Sequence, residues 1–262
     1  MKVKPANDYF IWKNEVVAQN FLKGVRGAIP LAKEQIDCLL RVISLTQTKV
    51  KSFLDLGCGD GILGKAIADK FPTAQGVFVD ISESMLAKAQ NKFTQQNTSH
   101  ANSDDHKYKF LLQDFGNTQW LEALKDSSKF DVIVSGFAIH HQPDQRKKEL
   151  YQEIFNLLNP GGIFLNLEHV ASRSGLGEQA FDQLFVDALF EYHYQADPSQ
   201  SRQAIADSYY SRHDQNANIL TLVETQCDWL REIGLIVVDC FLKLFEIALF
   251  GGIKSRKIES GN

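Results

Sequence analysis

Between residues 50 and 170 the apolar and polar positions alternate between two rhythms. Short apolar runs near 50–56, 75–80, 107–112, 130–135 and 161–168 predict strands. The segments between them, near 61–71, 82–95, 117–126 and 143–158, carry helical spacing. Strand followed by helix, repeated, predicts a parallel sheet with helices on both faces. Upstream, residues 15–22 place apolar side chains at i, i+1, i+5 and i+6, and after Pro30 the segment 31–45 puts Ile36, Leu39, Leu40 and Ile43 on one helix face. Downstream, Gly175 and Gly177 precede an apolar helical piece over 181–194, then a polar stretch to Asn218 with no strand signal. Thr221-Leu222-Val223-Glu224 fits a capping box for a helix running to about Glu232, which Gly234 stops. Two last strands are predicted near 235–242 and 244–250, and the single residue between them, Lys243, demands a tight reversal or an offset bend.

These boundaries predict one domain over 1–262: a helical cap at 1–49, a core at 50–170, a helical insertion or lid at 171–218, and a helix with a strand pair at 219–262. The run 96–106 is polar, rich in turn formers, and reads as a surface loop.

The chemistry centres on Phe53-Leu54-Asp55-Leu56-Gly57-Cys58-Gly59-Asp60-Gly61-Ile62-Leu63-Gly64, a strand, a turn with glycines at alternate positions, and a helix start. Glycines at such a corner let bare backbone approach a nucleotide-like ligand. A dinucleotide fingerprint requires a third glycine where Ile62 stands. Asp55 and Asp60 would oppose a pyrophosphate, whereas a ligand bearing an ammonium or sulfonium group would be attracted by them.

D-x-G-x-G-x-G after an apolar strand, followed in order by Val79-Asp80, Gln113-Asp114-Phe115, Phe130-Asp131-Val132-Ile133-Val134-Ser135 and Leu158-Asn159-Pro160-Gly161-Gly162, resembles the class I S-adenosylmethionine-dependent methyltransferases over residues 50–170, and more weakly over the remainder. The resemblance implies an α/β, doubly wound, Rossmann-like sheet of seven strands, mostly parallel with an antiparallel C-terminal strand, joined by N-terminal helices and a helical insertion. It implies S-adenosyl-L-methionine as cofactor and S-adenosyl-L-homocysteine as product. Asp80 stands 21 residues after Gly59, the spacing at which a carboxylate accepts from both ribose hydroxyls. By the resemblance, Asp114 and Phe115 contact the adenine. Asp55 meets the methionine ammonium, directly or through water, or braces the glycine turn; these roles are compatible. Gly57, Cys58, Gly59, Ile81 and Ser135 complete the expected cofactor contacts, and Arg26 is either a partner of the methionine carboxylate or a solvated turn residue.

His140 and His141 follow the fourth strand and are the candidate catalytic residues. Adjacent residues point in different directions and no third ligand stands at metal-like spacing, so no metal is expected. A base is needed only where the acceptor must lose a proton, and His140, His141, Glu168 and His169 are unranked candidates for it. The predicted reaction is methyl transfer to a small-molecule acceptor by in-line displacement.

Composition narrows the setting. With 44% apolar and 23% charged residues the chain is an ordinary globular protein. Cys38, Cys58, Cys227 and Cys240 form no C-x-x-C pair, which disfavours a zinc site or disulfide framework and fits a reducing cytoplasm. No apolar run approaches the ~20 residues that span a bilayer, and the N-terminus lacks a signal-peptide core, so neither membrane nor export is expected. A net charge of −4 gives no general attraction for nucleic acid. A homodimer through 171–218 is left open. Three alternatives remain. The stretches 26–30 and 223–254 are similar to the carboxy-S-adenosylmethionine synthases of tRNA wobble uridine modification, with Arg212 the nearest match to their carboxylate-binding arginine and Leu31 where they have an aromatic. The others are a non-catalytic methyltransferase-like binding module and a dinucleotide oxidoreductase, the latter weakened by Ile62.

Overall fold

In the computed structural model, residues 9–94, 107–125, 127 and 129–256 are described, apart from the side chains of Arg26 and His213; the loop at 96–106 lies outside the described residues. Along the chain run α1 (Glu15–Asn20), α2 (Ala32–Thr46), β1 (Ser52–Leu56), α3 (Ile62–Lys70), β2 (Gln75–Asp80), α4 (Glu83–Thr94), β3 (Tyr108–Leu112), β4 (Phe130–Gly136), α5 (Asp144–Leu157), β5 (Leu158–His169), α6 (Gly175–Ala196), α7 (Arg202–Ser211), α8 (Val223–Glu232), β6 (Leu235–Leu244) and β7 (Ile247–Lys254). The strands form one seven-stranded sheet in the order β3-β2-β1-β4-β5-β7-β6. Pairings from β3 through β5 are parallel, and β7 pairs antiparallel with both β5 and β6. The expected doubly wound sheet is therefore present.

Strand periodicity builds the two layers. In β1, Leu54 and Leu56 face one way, with Val77 and Val79 of β2 and Phe164 of β5, and pack under α5 and α8. Phe53 faces the other way, with Phe78, Val134 and Leu165, and packs under α2, α3 and α4. Each such fully buried side chain contributes roughly 1.5–3 kcal/mol relative to exposure. Because both faces are covered, the strands read in the sequence as nearly continuous apolar runs. The order reverses between β1 and β4, whose ends lie side by side at Leu56 and Ser135. That switch point opens a crevice beyond the strands' carboxyl ends.

Several boundaries differ from the sequence reading for local reasons. The helix expected at 117–126 is a short 3-10 turn, Thr118–Leu124, started by Asn117 and anchored by Trp120, whose indole N–H donates to Glu153 at 2.8 Å. The helix expected at 181–194 spans Gly175–Ala196, because Ser174 caps it earlier. The polar stretch after it contains α7, capped by Ser201, and a 3-10 turn, His213–Ala217. No capping box forms at Thr221: its hydroxyl donates to Asp144 and accepts from the Lys147 ammonium. The first helix stops at Asn20 and loosens into a π turn, Phe21–Val25. The final reversal lies after Leu244 instead of at Lys243, with Phe245 at φ 49°.

Gly251 lies where β7 crosses closest to β5, opposite Leu165, and a Cβ there would run into the backbone carbonyl of Phe164. Gly251→Ala is therefore expected to lower stability by about 2–4 kcal/mol through displaced backbone in the sheet centre. Urea unfolding would measure it, and a loss under about 0.5 kcal/mol would contradict this packing.

Candidate active site

The turn after β1 is held by backbone and by two buried acids. Gly57, Gly59 and Gly61 all have positive φ, at 67°, 53° and 77°, which explains three alternate glycines where side chains would be strained. Gly57 and Cys58 N–H groups donate to the Val79 carbonyl at 2.8 and 3.0 Å, tying the turn to β2. Asp80, at the end of β2, accepts from Gly59 N–H at 2.7 Å through Oδ2 and from Ser82 N–H at 2.8 Å through Oδ1. One carboxylate thereby fixes both the glycine turn and the approach to α4. Burial pushes the Asp80 carboxyl up, and these backbone donors pull it back. Asp55 accepts from Gly64 N–H at 2.8 Å and so satisfies a buried donor of the first turn of α3 that has no partner within the helix.

A cavity of ≈ 730 Å³ opens beside the turn. Gly57, Cys58, Gly59, Asp80, Ile81, Phe115, His140 and His141 line it, so eight of the twelve residues proposed from the sequence converge there. Asp55 instead borders a smaller adjoining cavity of ≈ 40 Å³. Ser135 lines neither described cavity; its hydroxyl donates to the Leu56 carbonyl at 2.7 Å and ties β4 to β1. Asp114 accepts from Gly116 N–H at 2.8 Å and from the Tyr9 hydroxyl at 3.0 Å, which draws the N-terminal segment across the crevice. Burial, then Asp114, pushes the Tyr9 phenol up to about 12. Arg26 begins a 3-10 turn, and its side chain lies outside the described residues.

The opposite wall is built on the end of β4 and on β5. His140 is buried, its Nδ1 2.5 Å from Glu168 Oε1. The backbone N–H groups of His140 and His169 donate to the two Glu168 oxygens at 3.0 and 2.9 Å. Burial pushes His140 well below the usual histidine range, with His169 and Lys147 adding to the effect. Burial also pushes Glu168 up, but its backbone donors and surrounding cationic groups favour the carboxylate. The Asn218 side chain also hydrogen-bonds His140 and helps hold its ring beside the cavity. His141 is likewise lowered by burial and then by His140, 3.9 Å away between ring centres; its Nδ1 lies 3.2 Å from the Ala217 carbonyl. His169 lines the same cavity, with Nε2 2.9 Å from Glu246 Oε2. Fully buried Lys147 donates to the carbonyl of Ile219, to Thr221 and to Asp144, while Ile219 N–H donates to the His140 carbonyl at 2.9 Å. The ammonium thus pins the chain segment that closes behind the histidines.

A family model described as a methyltransferase domain matches residues 54–164. A malonyl-[acyl-carrier protein] O-methyltransferase of Ilyobacter polytropus is 27% identical over 151 residues, which is 57% of this chain and 52% of that protein. A ubiquinone biosynthesis O-methyltransferase of Coxiella burnetii is 32% identical over 115 residues, 44% of this chain and 42% of that protein. The crystal structure of human N-acetylserotonin methyltransferase in complex with SAM superposes with TM-score 0.59 at 17% identity, covering 96% of this chain and 60% of that one. Residues 54–164 therefore match a methyltransferase domain, and the fold is one shared with S-adenosylmethionine-dependent methyltransferases. The chain spans about half the length of the curated relatives it matches.

The methyltransferase cofactor fits the residues present. A Cβ on Gly59 would meet nothing within 4 Å, so the turn faces open space where a ligand can reach main chain. Asp80 borders that space, where a carboxylate's two oxygens suit a vicinal diol. Among the described residues no group of three or more His, Cys, Asp or Glu could hold a metal, and no helix is long and apolar enough to cross a membrane. The sequence reading missed the aromatic wall of Trp12, Phe137, Phe181, Phe185 and Tyr209, whose spacing carries no signal beyond helix packing. Glu246, at the hairpin turn, was equally silent.

Neutral buried histidines make stability depend on pH. The unfolded chain takes up protons on His140 and His141 below about pH 6.5 while the folded chain does not, so each costs up to about 1.4 kcal/mol per pH unit as pH falls. Raised Glu168 and Asp80 act in the opposite sense, nearer the carboxylate range. The melting temperature is expected to fall between about pH 7 and 5.5, and His141→Gln to reduce that slope. A flat profile there in the native protein would contradict the buried neutral pair.

Proposed function

We propose that the protein transfers a methyl group from S-adenosylmethionine to a hydroxyl of a small molecule by in-line displacement. The observation that carries this reading is the His140–Glu168 pair, which faces the glycine turn across one cavity. Gly57, Cys58 and Gly59 would receive the cofactor against the main chain, Asp80 its sugar, and Ile81 and Phe115 its base. Asp114 would act at the adenine edge, Asp55 by bracing α3, Ser135 by tying β4 to β1, and Arg26 at the methionine carboxylate. When bound, the sulfonium supplies an activated methyl group with its own leaving group. The chain would supply alignment, and His140 would accept the proton of the acceptor hydroxyl. Glu168 orients the His140 ring, and the acceptor hydroxyl would take the place of the Asn218 contact beside it. His141 packs against His140 and against Trp12, with ring centres 5.4 Å apart, and shapes the acceptor side of the cavity.

The names of the two curated relatives support an oxygen acceptor, since both are O-methyltransferases. Net charge and the apolar wall favour a small molecule over nucleic acid. A carboxylated form of the cofactor is the second reading, favoured by the position of Arg212 in the same cavity. Its guanidinium lies 3.8 Å from the Tyr209 ring centre and donates to the Tyr209 carbonyl at 2.7 Å, so part of its capacity is already committed. The mass of ligand retained through purification separates the two.

Calorimetric titration with S-adenosylhomocysteine tests the first reading. The native protein is expected to bind it and not NAD, and Asp80→Ala to bind at least tenfold more weakly, about 1.4 kcal/mol, through loss of charge-assisted hydrogen bonds. No heat with S-adenosylhomocysteine would remove the reading; unchanged affinity in folded Asp80→Ala would remove Asp80 from it.

A further inference from the structure

One wall of the cavity is built from a short segment with few ties to the rest of the molecule. Tyr9–Lys13 is a 3-10 turn. Three residues per turn put positions 9 and 12 on one side and positions 10 and 13 on the other. Tyr9 and Trp12 accordingly line the cavity, together with Ile11, while Phe10 and Lys13 are exposed, the ammonium 4.8 Å from the Phe10 ring centre. Among the described residues, the backbone hydrogen bonds of this turn reach no farther than Asn14. Side-chain contacts hold it against the cavity.

Those contacts lie at its two inward positions. Tyr9 donates its hydroxyl to Asp114 Oδ2 at 3.0 Å, just beyond β3. Gly116 provides the notch that receives the phenol: a Cβ there would overlap the Tyr9 hydroxyl and its ring. Gly116 N–H also donates to Asp114 Oδ1 at 2.8 Å, so the carboxylate is held toward the phenol by its own loop. Trp12 packs on His141 and edge-on against Phe21, with ring centres 5.4 and 5.5 Å away. This closed position carries a penalty. The Trp12 indole N–H is buried and, among the described residues, has no hydrogen-bond partner. Lifting the turn into water satisfies that donor and costs the Tyr9–Asp114 bond. A made bond and an unmet donor oppose each other, which is the energetic setting of an element that opens.

Building on the cofactor reading above, we infer that residues 9–13 are an autoinhibitory strap, latched by Tyr9 on Asp114 and pivoting at Asn14, which must lift before the cofactor's base is seated. Asn14 has extended backbone between the 3-10 turn and α1, at φ −76° and ψ 117°, and its side chain caps α1 by accepting from Val16 N–H at 2.9 Å. The turn therefore swings without unwinding that helix. Asp114 is the acid assigned above to the adenine edge, yet it borders neither described cavity, whereas Tyr9 lines the larger one. The phenol holds the carboxylate that the base is to reach, and the two compete for it.

Tyr9→Phe keeps the ring and removes the latch. Stopped-flow mixing with S-adenosylhomocysteine is expected to show association at least about threefold faster than in the native protein, with dissociation unchanged and affinity tighter by the same factor. Unchanged or slower association in the folded variant would overturn the inference. So would weaker binding through faster dissociation, the mark of a tyrosine that only contacts the ligand. A second measurement needs no cofactor. Of the three tryptophans, Trp120 and Trp229 are 0% and 8% exposed, so acrylamide quenching of the unliganded protein reports on Trp12. The quenching constant is expected to rise at least about twofold in Tyr9→Phe, and an equal constant would overturn the strap. Should the native protein take up no S-adenosylhomocysteine, the cofactor reading falls, and the quenching comparison still decides whether Tyr9 latches the strap.

Discussion

One buried carboxylate holds the corner on which the rest of the site depends. The turn after β1 is nearly all main chain, and main-chain N–H groups that leave a sheet need new partners. Asp80 supplies them on one side, accepting from Gly59 and Ser82, and Asp55 on the other, accepting from Gly64. The acids thus organise the loop before any ligand arrives, and the helix beginning at Ile62 is oriented with its first turn toward the crevice. An arrangement of this kind makes the ligand surface rigid, so little ordering remains to oppose binding.

Across the crevice the constraint is electrostatic. His140, His141, Glu168, Glu246 and Lys147 are buried around β4, β5 and the segments packed on their ends, with His169 half-buried beside them. Each unpaired charge in such a place would cost several kcal/mol, so each group is bound to another: His140 to Glu168, His169 to Glu246, Lys147 to Asp144, Thr221 and the Ile219 carbonyl. The pairing also fixes how the rings of His140 and His169 stand at the cavity wall. Stability and chemistry here share the same hydrogen bonds.

The sequence made the first of these two halves legible and the second only partly so. Glycines with positive φ and acids at strand ends leave a local signature, because the backbone conformation itself demands those residue types. The sheet was readable for the related reason that strands covered on both faces must be apolar throughout. Glu168 was visible as an acid inside an apolar strand. Its link to His140 depends on which residues β4 and β5 bring together, and Glu246 reaches His169 from 77 positions away. Thr221 illustrates a signal that misled: the capping pattern is present, but a buried lysine and Asp144 compete for the hydroxyl and win. Residues 202–211 read only as part of a polar stretch within the insertion because their helix buries only a narrow stripe, with Ala206 and Tyr209 the buried positions.

The central claim is that a cofactor carrying adenosine and a sulfur-bearing amino acid lies along the glycine turn with its sugar on Asp80. A crystal structure of the protein grown with S-adenosylhomocysteine measures this most directly. The account predicts both ribose hydroxyls within hydrogen-bonding distance of the Asp80 oxygens and the adenine against Phe115. Density for the ligand elsewhere, with Asp80 bound only to its own backbone partners, would contradict it.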